Sequence, residues 1–577
     1  MKKYLLSLSI ALAFAGIANA QYQGTVDGLE QKSELVFAGN ITAENYVRHH
    51  AATFDASGNA FVSLAFDSQL NGIEPIGVSA MVIKLNETGA EAWSAPIIGA
   101  ATVKDLLSDG NGGVYAAGVF ADEVEFRGTD GASFTKEGYK EFDAFTVSQA
   151  ASFIAHYDAD GKLLNIGTIV PTHDPNLDAT GMYFAEDGDT YCSVQQLAIA
   201  NGKVYALYTL KGAVETANGS FTSGSMDAWG IGWYAALQSA FVAEIGDDMS
   251  ASNIVASIGS ETFTTQIDSY QLQSMRMAAD SDNLYLAFIA TGPNTLTTAG
   301  GEKKFEFSWP TEGGIIFGYG LARINLATGA IDATKQSEVV TSDEYYATEI
   351  KQMYKSGNSL VVCGNFQKYN GFYSTAVATG SSDVFMAFID PTTLDTQRLG
   401  SSRYDEGDAT QNEEIFTSSA ICGGKLFVSG YAASKTDHSL ITPINIIADL
   451  EGDGEAIHSS NSGYIFGTAA NEAGNMLLTA WSHDLTGSCF TRYGVTSGGV
   501  NDATIGKNVV KVYPNPATDL INFSEAADVE LTSLSGAKVA AAKGVTSLDV
   551  TGLASGVYVA KVTTAAGTTA VKIVKSK

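Results

Sequence analysis

The chain has 577 residues, a net charge of −30, only 17% charged residues, and 60 glycines, 25 tyrosines and 28 phenylalanines. That is length enough for one large domain and a small one, in a composition that suits β-structure. The charge is uneven: residues 508–577 hold seven lysines against five acids and the first twenty residues hold two lysines, so 21–507 carries about −34, which excludes nucleic acid and anionic membrane surfaces as partners.

Lys2 and Lys3 precede an apolar run from Leu5 to Ala15 that closes on Ala18-Asn19-Ala20. A basic start, a short apolar stretch and small residues before Gln21 predict a cleaved secretory signal over 1–20. The run is too short to span a bilayer and no later stretch approaches eighteen uninterrupted apolar residues, so no transmembrane segment is expected.

From 21 to 497, short apolar runs recur behind Gly/Asn-rich turns. They begin at Phe61, Val114, Val204, Leu284, Leu360, Leu426 and Met476, after turns such as Asn111-Gly112-Gly113 and Asn201-Gly202-Lys203. Glycine and asparagine tolerate positive φ, so these are hairpin turns. A shorter apolar stretch precedes each turn, as in Leu106-Leu107 or Met275-Arg276-Met277, and a third run follows, as in Met81–Leu85, Phe153–Tyr157 and Phe385–Ile389. With a weaker fourth run, each unit has the four antiparallel strands of a propeller blade, and seven units predict an all-β, seven-bladed β-propeller. Two stacked sandwiches are the alternative. The starts lie 50 to 90 residues apart, against roughly 40 to 50 for a compact blade, and the excess falls mostly between second and third strands. The last unit lacks room for a fourth strand before Asn501, and Leu35-Val36-Phe37-Ala38 is expected to supply it and close the ring. The repeats resemble Bacteroidetes-type β-propeller repeats with a Gly-Asn-x-Tyr-Val-x-Gly core.

Signals for chemistry are sparse. No zincin, nucleophile-elbow or phosphate-loop motif occurs, so no catalytic residue is assigned. His173 lies in an insertion without a motif around it. Asp158-Ala159-Asp160-Gly161, Asp187-Gly188-Asp189, Asp280-Ser281-Asp282-Asn283 and Glu451-Gly452-Asp453-Gly454-Glu455 invite a calcium reading. A calcium ion wants six to eight oxygens, so turn chemistry is the better reading; no cofactor is expected beyond a structural calcium, and the metal assignment stays open. Cys192, Cys363, Cys422 and Cys489 lie too far apart for a structural zinc site; two disulfides in any of three pairings and free buried thiols both remain open. Trp229-Gly230-Ile231-Gly232-Trp233-Tyr234, in the long insertion of the third unit, is the most unusual aromatic cluster. Trp229, Trp233 and Tyr234 suit a stacking platform for a sugar or peptide, or packing beneath the loop.

Residues 498–509 read as a linker, and 510–577 as a small β-sandwich with strands around Ile521–Phe523, Val529–Leu531, Ser547–Val550, Val557–Val562 and Ala570–Val574. Pro514-Asn515-Pro516, Leu534-Ser535-Gly536, Gly556-Val557-Tyr558 and the basic end with Lys572 and Lys575 resemble the C-terminal sorting domain of type IX secretion system cargo from Bacteroidetes. The resemblance implies an Ig-like module recognised by the secretion machinery and delivery to the cell surface or the medium. The resulting expectation is a secreted or surface-displayed noncatalytic binding protein for a glycan or protein ligand. The alternative is an extracellular glycan-active hydrolase or lyase with paired carboxylates on one propeller face.

Overall fold

The computed structural model describes residues 29–37, 39–40, 51–140, 148–172, 190–228, 233–260, 263–265, 272–307, 318–337, 348–367, 372, 382–401, 412–422, 424–434, 441–450, 457–458, 465–471, 474, 476–481, 487–495, 512–513, 517–533, 537–564 and 567–576. The chain divides into two compact units, Met1–Gly494 and Val495–Lys577. Among the described residues no helix is long and apolar enough to cross a membrane. The signal expected over 1–20 and the linker at 498–509 lie outside them.

Among the described residues the first unit contains seven antiparallel sheets built on one four-strand plan, beside three smaller sheets of two or three strands. Sheet 2 is typical: Ala101–Ser108, Val114–Phe120, Ala151–Tyr157 and Leu163–Ile169 follow one another in space as in sequence. The first strands of the seven sheets are Ala52–Phe54, Ala101–Ser108, Tyr191–Ala200, Leu272–Ala279, Thr348–Ser356, Asn412–Cys422 and Ile465–Ala470. Each packs against the next, and the seventh packs against the first, so the sheets close into a ring. This is β-propeller architecture. The fourth strand of sheet 7 is the N-terminal segment Leu29–Phe37, paired with Ser488–Val495 as the sequence led us to expect.

The continuous apolar runs have a direct packing reason. Ser79–Leu85 is buried at every position because a neighbouring sheet covers each face. Strand alternation sends Ala80 and Val82 into the core shared with sheet 2, and Met81, Ile83 and Leu85 into the core shared with sheet 7. Leu360 and Val362 likewise face sheet 4, while Val361 and Cys363 face sheet 6. The interior is therefore a series of inter-sheet layers.

The insertions do fall between second and third strands, but their destination was not legible. Glu123–Arg127 and Ser133–Glu137, inserted in sheet 2, form a hairpin that extends the outer edge of sheet 1. Pro293–Thr298 and Gly301–Glu306, inserted in sheet 4, do the same for sheet 3. Each hairpin covers an outer strand's unpaired N–H and C=O groups, and so blunts an edge.

Acidic turns cap the hairpins at the opposite rim. Asp158 Oδ1 accepts the N–H of Asp160 and of Lys162, both at 2.9 Å, and Asp280 Oδ1 accepts those of Asp282 and Asn283 at 2.9 Å. These carboxylates bind their own backbone as Asx turns do. Asp187–Asp189 and Glu451–Glu455 lie outside the described residues. No disulfide joins the four cysteines, and all four are buried. Burial pushes the thiols of Cys192 and Cys363 up to about 12 and those of Cys422 and Cys489 up to about 11, which keeps them protonated and unreactive at neutral pH.

In the second unit five strands hydrogen-bond as one set, with Leu520–Ser533 paired on both sides, to Lys538–Asp549 and to Gly556–Thr564. Two short strands expected separately, around Ile521 and Val529, are one 14-residue strand interrupted by register shifts between Asn522 and Val529. Alternate residues Ile521, Phe523, Ala527, Val529 and Leu531 pack on Tyr558, Ala560, Val562 and Ile573 in a separate core.

Closure of the ring rests on Phe37, buried edge-on against Phe490 with ring centroids 5.9 Å apart. Phe37→Ala is expected to lower unfolding stability by about 3–5 kcal/mol. Denaturant unfolding of the purified chain checks this, and a loss below about 1 kcal/mol would show that the N-terminal strand does not hold the ring.

Candidate functional site

The inner strands share one irregularity. In six of them the pairing slips by one residue at a β-bulge: at Lys104, Gln195, Gln273, Lys351, Thr417 and Phe466. A bulge crowds the second strand, and in three of the six sheets glycine stands opposite it, whereas Tyr208, Ala290 and Ala480 hold that register in the other three. A Cβ on Gly118 would lie 2.2 Å from the Thr102 carbonyl oxygen, on Gly364 1.8 Å from that of Glu349, and on Gly430 2.4 Å from that of Ile415. At these three positions glycine is required by close backbone approach.

The residue after the bulge ties its sheet to the next one. Asp105 Oδ2 accepts the Leu197 N–H at 2.7 Å, and Gln196 Oε1 that of Met277 at 2.9 Å. Ser274 Oγ accepts the Ile350 N–H at 2.9 Å, and Gln352 Oε1 that of Ser419 at 2.5 Å. These bonds form a belt running from sheet 2 to sheet 6. They satisfy backbone donors on inner strands that have no sheet neighbour on the channel side.

Inside the belt lies a cavity of about 880 Å³ lined by all seven inner strands, within the size range of small-molecule sites. Among the described residues four cations line it, Lys104, Arg276, Lys351 and Lys355, and two acids, Asp105 and Glu349. Gln195, Gln196 and Gln352 add amide groups. Both acids are engaged: Asp105 Oδ1 takes the Leu106 N–H at 3.0 Å in addition to its Leu197 bond, and Glu349 pairs with Lys351 at 2.5 Å. Arg276 donates from Nε to the Lys351 carbonyl at 2.5 Å and from Nη1 to the Met275 carbonyl at 2.7 Å.

The cations strain against one another. Burial, then the charges of Arg276 and Lys351, hold the Lys104 ammonium below the usual lysine range. Burial also lowers the Arg276 guanidinium, opposed by Glu349 and Asp105. Asp105 is pushed up to about 7, chiefly by burial, with its two backbone donors and Arg276 pulling the other way.

None of these residues was singled out from sequence. Their signal is a charged or amide residue set just before an apolar pair, as in Lys104-Asp105-Leu106-Leu107 and Gln195-Gln196-Leu197, recurring in register only once first strands are aligned. Of the aromatic candidates, Trp229 lies outside the described residues; Trp233–Ala236 is a strand pairing Trp233 with Ala228 and Tyr234 with Asp227. His173 lies outside the described residues too. In the second unit, Pro514, Asn515, Pro516 and Gly536 are likewise outside them. Gly556 opens the strand Gly556–Thr564, and the buried Tyr558 hydroxyl donates to the Ala554 carbonyl at 2.7 Å. Lys572 pairs with Val559, and the buried Lys575 donates from Nζ to the Ser576 carbonyl at 2.7 Å.

Because burial keeps Asp105 protonated where an unfolded aspartate is ionised, the native state holds the extra proton between about pH 4 and 7, and stability falls across that window as pH rises. Asp105→Asn removes this dependence at the cost of one backbone acceptor. The variant's stability relative to wild type is expected to improve by on the order of 1–2 kcal/mol from pH 4 to pH 7.5, less than a fully shielded group would give. Unfolding titrations across that range check it, and a pH-independent difference would contradict it.

Residues 511–576 match the family described as the secretion system C-terminal sorting domain. Curated protein sequences give no match. Among solved structures the chain is similar to the β-propeller domain of Myceliophteria thermophila Cps50 (Swd1), at 11% identity and a TM-score of 0.39 over 81% of this chain and 100% of that one. It is similar to the Dos1 propeller at 10% identity and 0.38, covering 81% and 95%. Polysaccharide lyase Uly1 shares 10% identity at 0.35, covering 70% and 77%. The propeller assignment rests on sheet order and the ring of inner strands. The chain is a β-propeller body carrying a C-terminal sorting domain that directs it out of the cell through the type IX secretion system.

Proposed function

We propose that the body is a noncatalytic binding protein, displayed on the cell surface of a Bacteroidetes-type cell or released from it after removal of a leader over 1–20. The observation that carries this reading is the composition of the channel. Its described lining offers hydrogen-bond donors from several sheets, while the two carboxylates among the described residues are engaged, Asp105 by backbone N–H groups and Glu349 by Lys351. A hydrolase or lyase needs an acid or base poised for proton transfer to substrate, whereas a binding site needs fixed donors on a rigid frame.

The second-to-third-strand connections issue from one rim, because strands alternate in direction. The sheet 3 insertion with Trp229, Trp233 and Tyr234 leaves from that rim, and we assign it a contact with a glycan or protein ligand there. Residues 511–576 serve as the address read by the secretion machinery, with Pro514, Asn515, Pro516, Gly536, Gly556, Tyr558, Lys572 and Lys575 as its recognised or shape-determining positions.

Two measurements test this. Deleting 511–576 is expected to leave the protein inside the cell envelope with the medium and surface depleted at least tenfold. The full-length exported protein, applied to a glycan and host-protein array and to the same polysaccharides in a turnover assay, is expected to bind without cleaving. Turnover of a polysaccharide would replace the binding reading with the enzymatic one.

A further inference from the structure

We infer that the propeller channel is a site for a small neutral saccharide, whose hydroxyls accept hydrogen bonds from Arg276, Gln196 and Gln352 and donate to Glu349. This deepens the binding-protein reading and rests on it.

The first support is a set of donors left over at fixed positions. Gln196 and Gln352 line the cavity, and each ties its sheet to the next through a backbone N–H, that of Met277 at 2.9 Å and that of Ser419 at 2.5 Å. A backbone N–H only donates, so the end of the amide spent on it is Oε1. The Ser419 hydroxyl donates to the same Gln352 oxygen at 2.7 Å. What each side chain keeps is its NH2, which has no partner among the described residues. Arg276 likewise spends one N–H on the Lys351 carbonyl and one on that of Met275, and its remaining donors have no partner among the described residues.

The second support is an acceptor set among these donors. Glu349 holds Lys351 Nζ through Oε1 at 2.5 Å, and its Oε2 has no partner among the described residues. Its side chain is 42% exposed and lines the cavity. Direct contacts bring the groups together. Gln196 sits on the peptide next to Arg276, Arg276 rests on the carbonyl of Lys351, Lys351 holds Glu349, and Gln352 follows Lys351 in the chain.

The third support is the match to a polyhydroxyl ring. A hydroxyl donates and accepts through one oxygen, so neighbouring hydroxyls satisfy guanidinium and amide N–H groups and a carboxylate oxygen at once. A small anion would set its charge against Glu349 and a body of about −34, and an organic cation would meet Arg276 and Lys351. A peptide brings N–H donors that need acceptors of their own, and the Gln196 and Gln352 oxygens and the carbonyls of Lys351 and Met275 are already taken. Tyr354, fixed by its hydroxyl on the Ser419 carbonyl at 2.6 Å, adds an aromatic side chain to the same lining. The cavity of about 880 Å³ accepts a sugar-sized molecule, and the belt holds its donors in place before the ligand arrives.

Isothermal titration of the full-length protein with glucose, galactose, N-acetylglucosamine and maltose, beside inorganic phosphate and trialanine, tests the assignment. At least one sugar is expected to bind saturably, while phosphate and trialanine do not. Gln196→Glu and Gln352→Glu keep the oxygen that accepts the backbone N–H and exchange the NH2 for an acceptor. Each should weaken sugar binding at least tenfold with an unchanged circular dichroism spectrum, and Glu349→Ala should do the same. Failure of all four sugars to bind, binding of phosphate or trialanine in their place, or a sugar affinity indifferent to all three substitutions overturns the inference. If the sugars fail while the array yields a protein or a large glycan, the inference falls and the binding reading stands. If maltose is bound and cleaved, the site stands and the noncatalytic reading falls.

Discussion

The body depends on the β-bulge in its inner strands. An inner strand has a sheet partner on one side only, so the backbone N–H groups on its other side need acceptors from elsewhere. The bulge re-aims consecutive side chains, one toward the neighbouring sheet and one toward the channel. The first supplies the acceptor, as Asp105, Gln196, Ser274 and Gln352 do. The second gives the channel its character, as Lys104, Gln195 and Lys351 do. In three of the six bulged sheets a glycine, Gly118, Gly364 or Gly430, stands opposite the bulge where a Cβ has no room. Fold, inter-sheet cohesion and site chemistry thus share one local feature.

Legibility in the sequence followed burial. Second and third strands, such as Ala60–Phe66 and Asp383–Ile389, are covered on both faces and read as unbroken apolar runs. The N-terminal closing strand was legible because the last unit lacked a fourth strand and Leu35-Val36-Phe37 was unassigned. The channel was not, because its residues are polar, sit in the weakest runs, and acquire meaning only when seven strands meet around an axis. Arg276 shows the difficulty: within Met275-Arg276-Met277 it reads as a lapse in an apolar strand, yet in the fold its neighbours are buried and it lines the channel. The edge-capping hairpins were equally hidden, since no local pattern says that a hairpin inserted in sheet 2 will pair with sheet 1. In the sorting unit, alternation was legible but the merging of two short runs into Leu520–Ser533 was not, because register shifts mask the continuity.

The two units divide the work by charge and by packing. The body, at about −34, repels other anionic surfaces, while four of its cations line the channel among the described residues. The weakly basic C-terminal unit has its own core, from Ile521 to Ile573, and so folds its address independently of the cargo's layers. The four thiols are single and buried, so cohesion comes from inter-sheet layers, the polar belt and the closing strand.

Hydrogen exchange at the inner-strand amides tests the belt most directly. In the native protein the amides of Leu197, Met277, Ile350 and Ser419 are expected to exchange at rates set by global unfolding. In Gln352→Ala, Ser419 should lose protection at least tenfold while Leu197 keeps its own. Rapid exchange of these amides in the native protein, or a Ser419 rate indifferent to the loss of Gln352, would contradict the account.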